Sequence, residues 1–361
     1  MLSSPETFSE GSREIATIRE LAELSGVSVA TVSRVLNDYE DVSAATRKRV
    51  LKLAEELEYT PSAAARTLVT KRSHVVGVVL STGVDHPDIQ HPFFGEVLVG
   101  LKRRLGAGGY DLLLLATEEP GNGFGKHSYL QRCRHHRVDG VVLMGVERRD
   151  PDAQKLARST IPCIAVDLDV VGRRTGFVVS DNTAGAMLAV EHLHKLGHER
   201  IATITGATDT RAGIDRLVGY RQALEQLGRP YRDEYVRDGD FYFESGLAAM
   251  QELLSLPEPP TAVFAASDLM AAGTIRAIEQ AGLSVPADIA VVGFDDIQLA
   301  AMMQPALTTI RQDKLGLGAA AGGALVRMIE LDGTPPPMIT LPVELVVRDS
   351  SGTKRRRAAT K

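Results

Sequence analysis

The sequence predicts a two-part fold: a small all-α unit carrying a helix-turn-helix, then an α/β core of two doubly wound parallel-sheet lobes. Three observations predict it. Residues 17–37, TIRELAELSGVSVATVSRVLN, put two short amphipathic stretches on either side of a Ser25-Gly26 break. From residue 75, short β-branched runs alternate with amphipathic helical stretches, as parallel sheets covered on both faces require. Eight such runs are many for one small sheet, so two lobes of about equal size fit better.

Taken in order, Thr17 caps the first helix, with Glu20 placed to close a capping box. Leu21, Ala22 and Leu24 give that helix its apolar face. Gly26 accepts the left-handed backbone that ends it. Ser28 caps a second helix with Val32, Val35 and Leu36 inward. Its other side shows Val29, Ala30, Thr31, Ser33 and Arg34, small or hydrogen-bonding residues that let a helix approach base edges in a major groove. Apolar spacing alone fits an ordinary helical hairpin equally well. Residues 43–58 predict a third helix, capped by Ser43, with Val50, Ala54 and Leu57 inward. Pro61 ends that region. The Ala-rich 62–70 has room for one or two helical turns, marginal alone, which suggests an element that folds when something packs on it.

The strand runs are 75–80, 110–117, 139–145, 161–167, 177–181, 200–206, 261–268 and 288–296. In doubly wound sheets ligands bind at the carboxyl ends of strands, here in a cleft between lobes. Asp167 and Asp295 each close such a run. Arg216 has the fork for paired hydroxyls or a carboxylate, and Phe94 or Phe241 has the face to cover a sugar ring. An Asp after a strand is often a helix cap, as Asp268 and Asp296 are read here, and Phe93-Phe94 also suits plain core.

Composition bounds the function. With 361 residues, 44% hydrophobic and 24% charged, the chain is globular and holds two or three domains. No apolar run approaches the ~20 residues a membrane helix needs, so no membrane partner is expected. MLSSPETFSEGSRE lacks the basic start and apolar centre of a secretory signal, and two cysteines, Cys133 and Cys163, make no disulfide framework. A reduced cytoplasm is the expected setting. Net charge is −5, yet residues 13–72 hold ten Lys/Arg against nine Asp/Glu. Arg47, Lys48, Arg49 and Lys52 cluster on one helix, with Arg66, Lys71 and Arg72 after it. Since counterion release depends on where charge sits, DNA binding is compatible with this composition without being indicated by it.

Several signals are set aside. PGNGFGKHS at 120–128 fails as a phosphate loop: Pro120 stands where glycine is needed, and His127 follows Lys126 in place of Ser or Thr. His194 and His198 lie four apart, with His192 nearby, but no second cluster completes a metal site. No G-x-S-x-G elbow appears. No catalytic residue, cofactor or metal is expected.

GVSVATVSRVLN at 26–37 and VSAATRKRVLKLAEELEYTPSAAARTL at 42–68 resemble the headpiece of the LacI/GalR family of bacterial transcription repressors. HLHKLGHERIA, DRLVGYRQAL, FAASDLMAAG, VVGFDD and LTTIRQD follow in the family's order, so the likeness spans roughly residues 16–349. It implies a DNA-binding headpiece at 16–61, a hinge helix and linker at 62–73, and a periplasmic-binding-protein-like core at 74–349. Lobe one would take about 74–176 and 313–338, and lobe two about 177–312 and 339–349. Residues 1–15 and the basic tail 350–361 are expected to be disordered.

The resemblance also implies roles. Val29 and Ala30 fall at base-reading positions. Thr17, Ile18, Arg19, Ser28, Thr31, Ser33, Arg34, Asn37, Tyr59, Ser62 and Ala65 fall at other DNA-contacting positions. Leu68 matches a hinge leucine that wedges into the central minor groove. Asp167, Arg216, Phe241 and Asp295 fall in the effector cleft, joined by Ser81, Phe94, Ser267 and Gln312. The implied partners are double-stranded operator DNA, a second copy of the chain, and a small effector. Ser267 stands where some sugar-responsive members carry asparagine, and DHPDIQH at 85–91 looks like an insertion at the cleft mouth. A neutral sugar or oligosaccharide is the first expectation, with a purine or another metabolite as the alternative. The tail after Arg348 has no leucine heptads, which argues against a coiled-coil tetramer.

Overall fold

The computed structural model describes residues 17–59, 72–80, 91–116, 128–331 and 333–352. The chain divides into two compact units, residues 1–73 and 74–361.

Among the described residues of the first unit, three helices form: α1 (Ile18–Ser25), α2 (Val29–Leu36) and α3 (Ala44–Glu56). Each begins at a side-chain cap. Thr17 Oγ1 accepts from the Glu20 N–H at 3.2 Å, Ser28 Oγ from the Thr31 N–H at 3.1 Å, and Ser43 Oγ from the Thr46 N–H at 3.3 Å. Among the described residues Glu20 makes no return bond to Thr17, so the expected capping box is only half formed. Gly26, at φ +65°, ends α1 in the left-handed conformation. Leu21, Ala22, Val32, Val35, Val50 and Ala54 close the small core, with Ile18, Leu36 and Leu57 packed at its margin. Leu24 is not part of it: it is 57% exposed. The buried stripe of α1 runs through 18, 21, 22 and 25, the spacing of one helical face, and Leu24 falls beside it.

In the second unit, β1 (Val75–Leu80), β2 (Asp111–Leu115), β3 (Gly140–Met144), β4 (Cys163–Val166) and β5 (Thr175–Ser180) join β11 (Met338–Leu341). They make a six-stranded parallel sheet of order β11-β5-β4-β3-β1-β2. The second sheet holds β6 (Ile201–Ile204), β7 (Val236–Arg237), β8 (Ala262–Ala265), β9 (Ala290–Asp295), β10 (Thr308–Gln312) and β12 (Val343–Val346). Its order is β12-β10-β9-β8-β6-β7, parallel except where β12 meets β10. Side chains alternate between two cores on each sheet. Val142 and Met144 face one side with Ile164 and Val166, while Val141 and Leu143 face the other with Cys163 and Ala165.

The eight strands expected from apolar runs are present. Four more were not legible as such runs. β7 has two residues, β11 and β12 are half-exposed edges, and β10 (TTIRQ) buries polar residues. The lobe boundaries also move. The one expected at 176/177 falls inside β5, which pairs with β4, and the one at 338/339 falls inside β11, which pairs with β5. The chain therefore crosses between lobes at Asp181, Asp313 and Pro342. Strand pairing decides this, and local sequence does not report it.

Helices cover both sheets. On the first lie α4 (Pro92–Ala107), α5 (Tyr129–His135), α6 (Pro151–Ala157) and α12 (Lys314–Glu330). On the second lie α7 (Asn182–Lys195), α8 (Arg211–Gln226), α9 (Phe243–Leu254) and α10 (Asp268–Gln280), with the short α11 (Gln298–Met302) after β9. α4 and α12 cross backbone to backbone, since a Cβ on Gly318 would lie 2.0 Å from the Val97 carbonyl oxygen, and one on Gly100 2.1 Å from that of Leu315.

Residues 350–352, expected to open a disordered tail, are instead ordered against the second sheet. Ser350 is fully buried, donating to the Val291 carbonyl at 2.7 Å and accepting from the Thr308 N–H at 2.8 Å. Among the described residues no helix is long and apolar enough to cross a membrane.

Candidate functional site

The α1–α2 pair exposes the surface a helix-turn-helix offers to DNA. Val29, Ala30 and Arg34 on α2 are exposed, as are Thr17 and Arg19 at the start of α1 and Ser28 at the α2 cap. Ile18, Thr31, Ser33, Asn37 and Tyr59 are half-buried. Several polar groups already have partners. Arg34 NH1 donates to Asp41 Oδ2 at 3.0 Å, Thr31 Oγ1 pairs with Ser28 Oγ at 2.9 Å, and Asn37 Nδ2 donates to the Ser33 carbonyl at 2.7 Å. Both Arg34 and Asp41 are exposed, so the guanidinium can exchange Asp41 for a phosphate or base at small cost. On α3, Arg47 pairs with Asp38 and Lys52 with Glu56, which leaves Lys48 and Arg49 as the exposed cations of that cluster without an ion pair among the described residues. Ser62, Ala65 and Leu68, and with them the expected hinge helix, lie outside the described residues, as does Ser81.

The core unit opens a cavity of about 190 Å³ at the carboxyl ends of its strands. Lobe one supplies His91, Phe94, Gly145–Glu147 and Asp167, and lobe two supplies Ala207, Asp209, Thr210, Arg216, Asp240–Tyr242 and Asp295. Five of the predicted effector residues thus converge: Phe94, Asp167, Arg216, Phe241 and Asp295. Three of them hold a backbone that non-glycine residues rarely adopt, with φ of +53° at Asp167, +77° at Phe241 and +114° at Asp295. Such conformations persist only where the surroundings enforce them. Phe241 packs edgewise where Gly206 has no side chain: a Cβ there would stand 2.0 Å from the ring.

Arg216 is 3% exposed and fully engaged on one side. Its Nε donates to Asn182 Oδ1 at 2.8 Å, its NH1 donates to the Ala266 carbonyl, and NH1 lies 3.6 Å from Asp295 Oδ1. The guanidinium carbon sits 3.7 Å from the Phe294 ring centroid. Burial pushes the Asp167 carboxyl up to about 6, even though the Arg216 guanidinium and a Ser180 N–H favour its anion. Its Oδ1 is buried without a hydrogen-bond partner.

Ser267 and Gln312 do not line this cavity. Ser267 is fully buried behind it, where its Oγ caps α10 at Met270 and donates to the Phe241 carbonyl at 2.8 Å. Gln312 Nε2 donates to Asp295 Oδ1 at 2.6 Å. Both therefore hold cavity-lining residues in place, Ser267 through the Phe241 carbonyl and Gln312 through Asp295. Asp268 and Asp296 are bridges, not the caps expected. Asp268 accepts from the Ile297 N–H at 2.8 Å and the Thr309 hydroxyl at 2.5 Å, while Asp296 accepts from Arg311 and Arg348, each at 2.6 Å.

Sequence reasoning missed His91, which is 5% exposed and faces Tyr242 of the other lobe edge-on at 5.5 Å between ring centroids. Its Nδ1 accepts from the Phe93 N–H at 3.3 Å, which makes Nε2 the protonated nitrogen, and that Nε2 has no hydrogen-bond partner among the described residues. Burial pushes its pKa down, which favours neutral imidazole. The signal was available, since His91 ends the DHPDIQH segment already placed at the cleft mouth. No cluster of three metal-ligating side chains occurs among the described residues. His192 instead bonds Ser351 Oγ at 2.9 Å, and His198 bonds Thr261 Oγ1 at 3.1 Å.

Known proteins share both units. The family described as bacterial regulatory proteins, lacI family, matches residues 17–62, and the periplasmic binding protein-like domain matches 190–351. The HTH-type transcriptional regulator CelR of Thermobifida fusca is 38% identical over 340 residues, covering 94% of this chain and 99% of that protein. Among solved structures, a CelR–cellobiose complex is 34% identical with a TM-score of 0.69, over 93% of this chain and 99% of that one. A lac repressor dimer bound to operator and the anti-inducer ONPF is 30% identical with a TM-score of 0.78, over 94% and 100%. With a capped helix-turn-helix ahead of a two-lobed core, and relatives of this identity along nearly its whole length, the chain belongs to the LacI family of DNA-binding bacterial transcriptional regulators and is not an enzyme.

Proposed function

We propose that the chain is a repressor that binds a pseudo-palindromic operator as a homodimer, under the control of a sugar held between the two lobes. The observation that carries the effector part is the cleft itself. Phe94 from one lobe and Phe241 from the other supply apolar ring faces, while Asp167, Asp295 and Arg216 supply acceptors and a donor for hydroxyl groups. The cellobiose in the CelR complex supports a sugar, and the operator in the lac repressor dimer supports the DNA part.

In this reading Val29 and Ala30 make apolar contact in the major groove, and Arg34 takes a guanine edge or a phosphate. Effector binding shifts the lobes, changes the spacing of the two hinges across the dimer, and melts or orders them. Coupling of this kind is typically ~1–3 kcal/mol, roughly 5–150-fold in affinity.

The test starts from purified protein and sheared genomic DNA, with bound fragments recovered and sequenced. One enriched palindrome beside sugar-uptake or glycosidase genes is the expected result. Enrichment beside purine genes would move the effector to that class, and no enrichment would overturn base reading by α2. Leu68→Ser is expected to weaken operator binding and spare ligand binding. Unchanged operator affinity would remove the hinge from the mechanism.

A further inference from the structure

We propose that the cleft selects its effector by charge: it takes a hydroxylated ligand of zero or positive charge and rejects the phosphorylated or carboxylated forms of the same molecule. The inference rests on the reading of the cleft as a sugar site and narrows that reading.

Among the described residues the lining carries five carboxylates, Glu147, Asp167, Asp209, Asp240 and Asp295, against one guanidinium, Arg216. No lysine lines the cavity among the described residues. His91 adds no positive charge, since its buried ring favours the neutral form. Like charges disfavour an incoming anion, most strongly where burial limits screening.

Arg216 does not offset this surplus. Holding a carboxylate or phosphate firmly takes two parallel N–H donors from one edge of the guanidinium. Here Nε is given to Asn182 and NH1 to Ala266, with Asp295 beside it, while Phe294 covers one face. NH2 remains, with its two N–H groups on different edges of the guanidinium, each beside a donor already given away, which suits hydroxyls better than a parallel fork. The neighbouring arginines are also committed. Arg148 forks onto Asp169 at 3.0 and 3.2 Å, and Arg211 binds Asp169 at 3.1 Å and Asp215 at 2.5 Å.

The buried groups that still need partners agree with this reading. Asp167 Oδ1 is an acceptor without a donor, so it demands an O–H or N–H from the ligand. His91 Nε2–H is a single neutral donor, suited to a hydroxyl or ring oxygen. A polyol satisfies both, and an ammonium satisfies Asp167. An anionic oxygen satisfies neither Asp167 nor the surrounding field.

The experiment is equilibrium dialysis of the full-length protein against matched sets at low and at physiological salt. The sets are ribose with ribose 5-phosphate; glucose with glucosamine, glucuronate and glucose 6-phosphate; cellobiose with cellobionate; and adenine with adenosine monophosphate. Within the set that binds, the neutral or amino member is expected to bind at least tenfold more tightly than the anion, and the gap is expected to narrow as salt rises. An acid or phosphate that binds as tightly as its parent overturns charge selection. Retention of adenine over the sugars, with its phosphate rejected, would sink the sugar reading and leave charge selection standing. Asp209→Asn, at the exposed rim, is expected to raise affinity for the anions more than for the neutral members. Equal effects on both would overturn the inference.

Discussion

Asp167 carries a cost in the free protein that a ligand in the proposed cleft would offset. Its carboxyl is pushed up to about 6 by burial, against an ordinary value of 3.8. A raised folded-state pKa gives stability that is present below the unfolded value and lost as pH rises through the folded one. Between pH 4 and pH 6 the free protein therefore loses on the order of 3 kcal/mol through this group. Asp167→Asn is expected to stabilise the ligand-free core by up to about that amount at pH 7 and by almost nothing at pH 4, read by urea denaturation. The same variant is expected to lose effector binding. Arg216 is penalised by burial too, which lowers its pKa although Asp295 and Asp167 favour the charged form. It differs in that its donors are engaged, with Nε on Asn182 and NH1 beside Asp295. Removal by Arg216→Gln leaves buried carboxylates unpaired and is expected to cost about 3–5 kcal/mol in the same assay. Residue types and order pointed to both positions. The missing partner of Asp167 Oδ1 and the spent donors of Arg216 did not show, because they depend on segments far apart in sequence: Arg216 gives its donors to Asn182 and Ala266.

At the scale of elements, caps and close approaches decide which helices hold. Ser28 satisfies an otherwise free N–H at the start of α2, the helix with the exposed Val29 and Ala30. Ser28→Ala is expected to destabilise the first unit by about 1 kcal/mol in thermal melts. A shift of less than a few tenths would show that tertiary packing alone holds α2. The α4–α12 contact is more demanding. Gly318→Ala would set a Cβ 2.0 Å from the Val97 carbonyl oxygen, a backbone atom that cannot swing away. The expected cost is about 1–3 kcal/mol or more, visible in denaturation of the core. Caps were readable from Thr17, Ser28 and Ser43 because a cap is a local hydrogen bond. The glycine contact was not readable, because the partner strip lies more than two hundred residues away in sequence.

Across the whole core, one ion cluster joins the lobes. Asp169, beyond β4, accepts from Arg148 of its own lobe and from Arg211 at the start of α8 in the other. Burial would raise the Asp169 carboxyl, but the two guanidiniums hold it below its ordinary range. The backbone repeats the link where the Arg148 N–H donates to the Asp209 carbonyl at 3.3 Å. Asp169 lies two residues from Asp167, and Arg211 shares α8 with Arg216, so the link and the cleft use the same elements. The cluster ties the two lobes together beside the cleft, and under the proposed function this would reduce the cost of binding by holding the lobes in place beforehand. Asp169→Asn is expected to weaken effector affinity about three- to tenfold and to reduce its dependence on salt, by calorimetry. Unchanged affinity would mean the lobes are held elsewhere, at the Asp181, Asp313 and Pro342 crossings.

Legible from the residues alone were the helix-turn-helix and its caps, eight of the strands, and five residues that line the cleft. Those features follow from local rules: apolar period, cap chemistry, and the placement of acids at strand ends. Only the tertiary structure decided that β5 and β11 belong to the first sheet, that Leu24 faces outward, and that Ser267 and Gln312 stand behind the cleft wall. It also brought His91 against Tyr242. These depend on contacts between segments far apart in sequence, where the neighbour across the sheet or cleft, and not the neighbour along the chain, sets burial and charge.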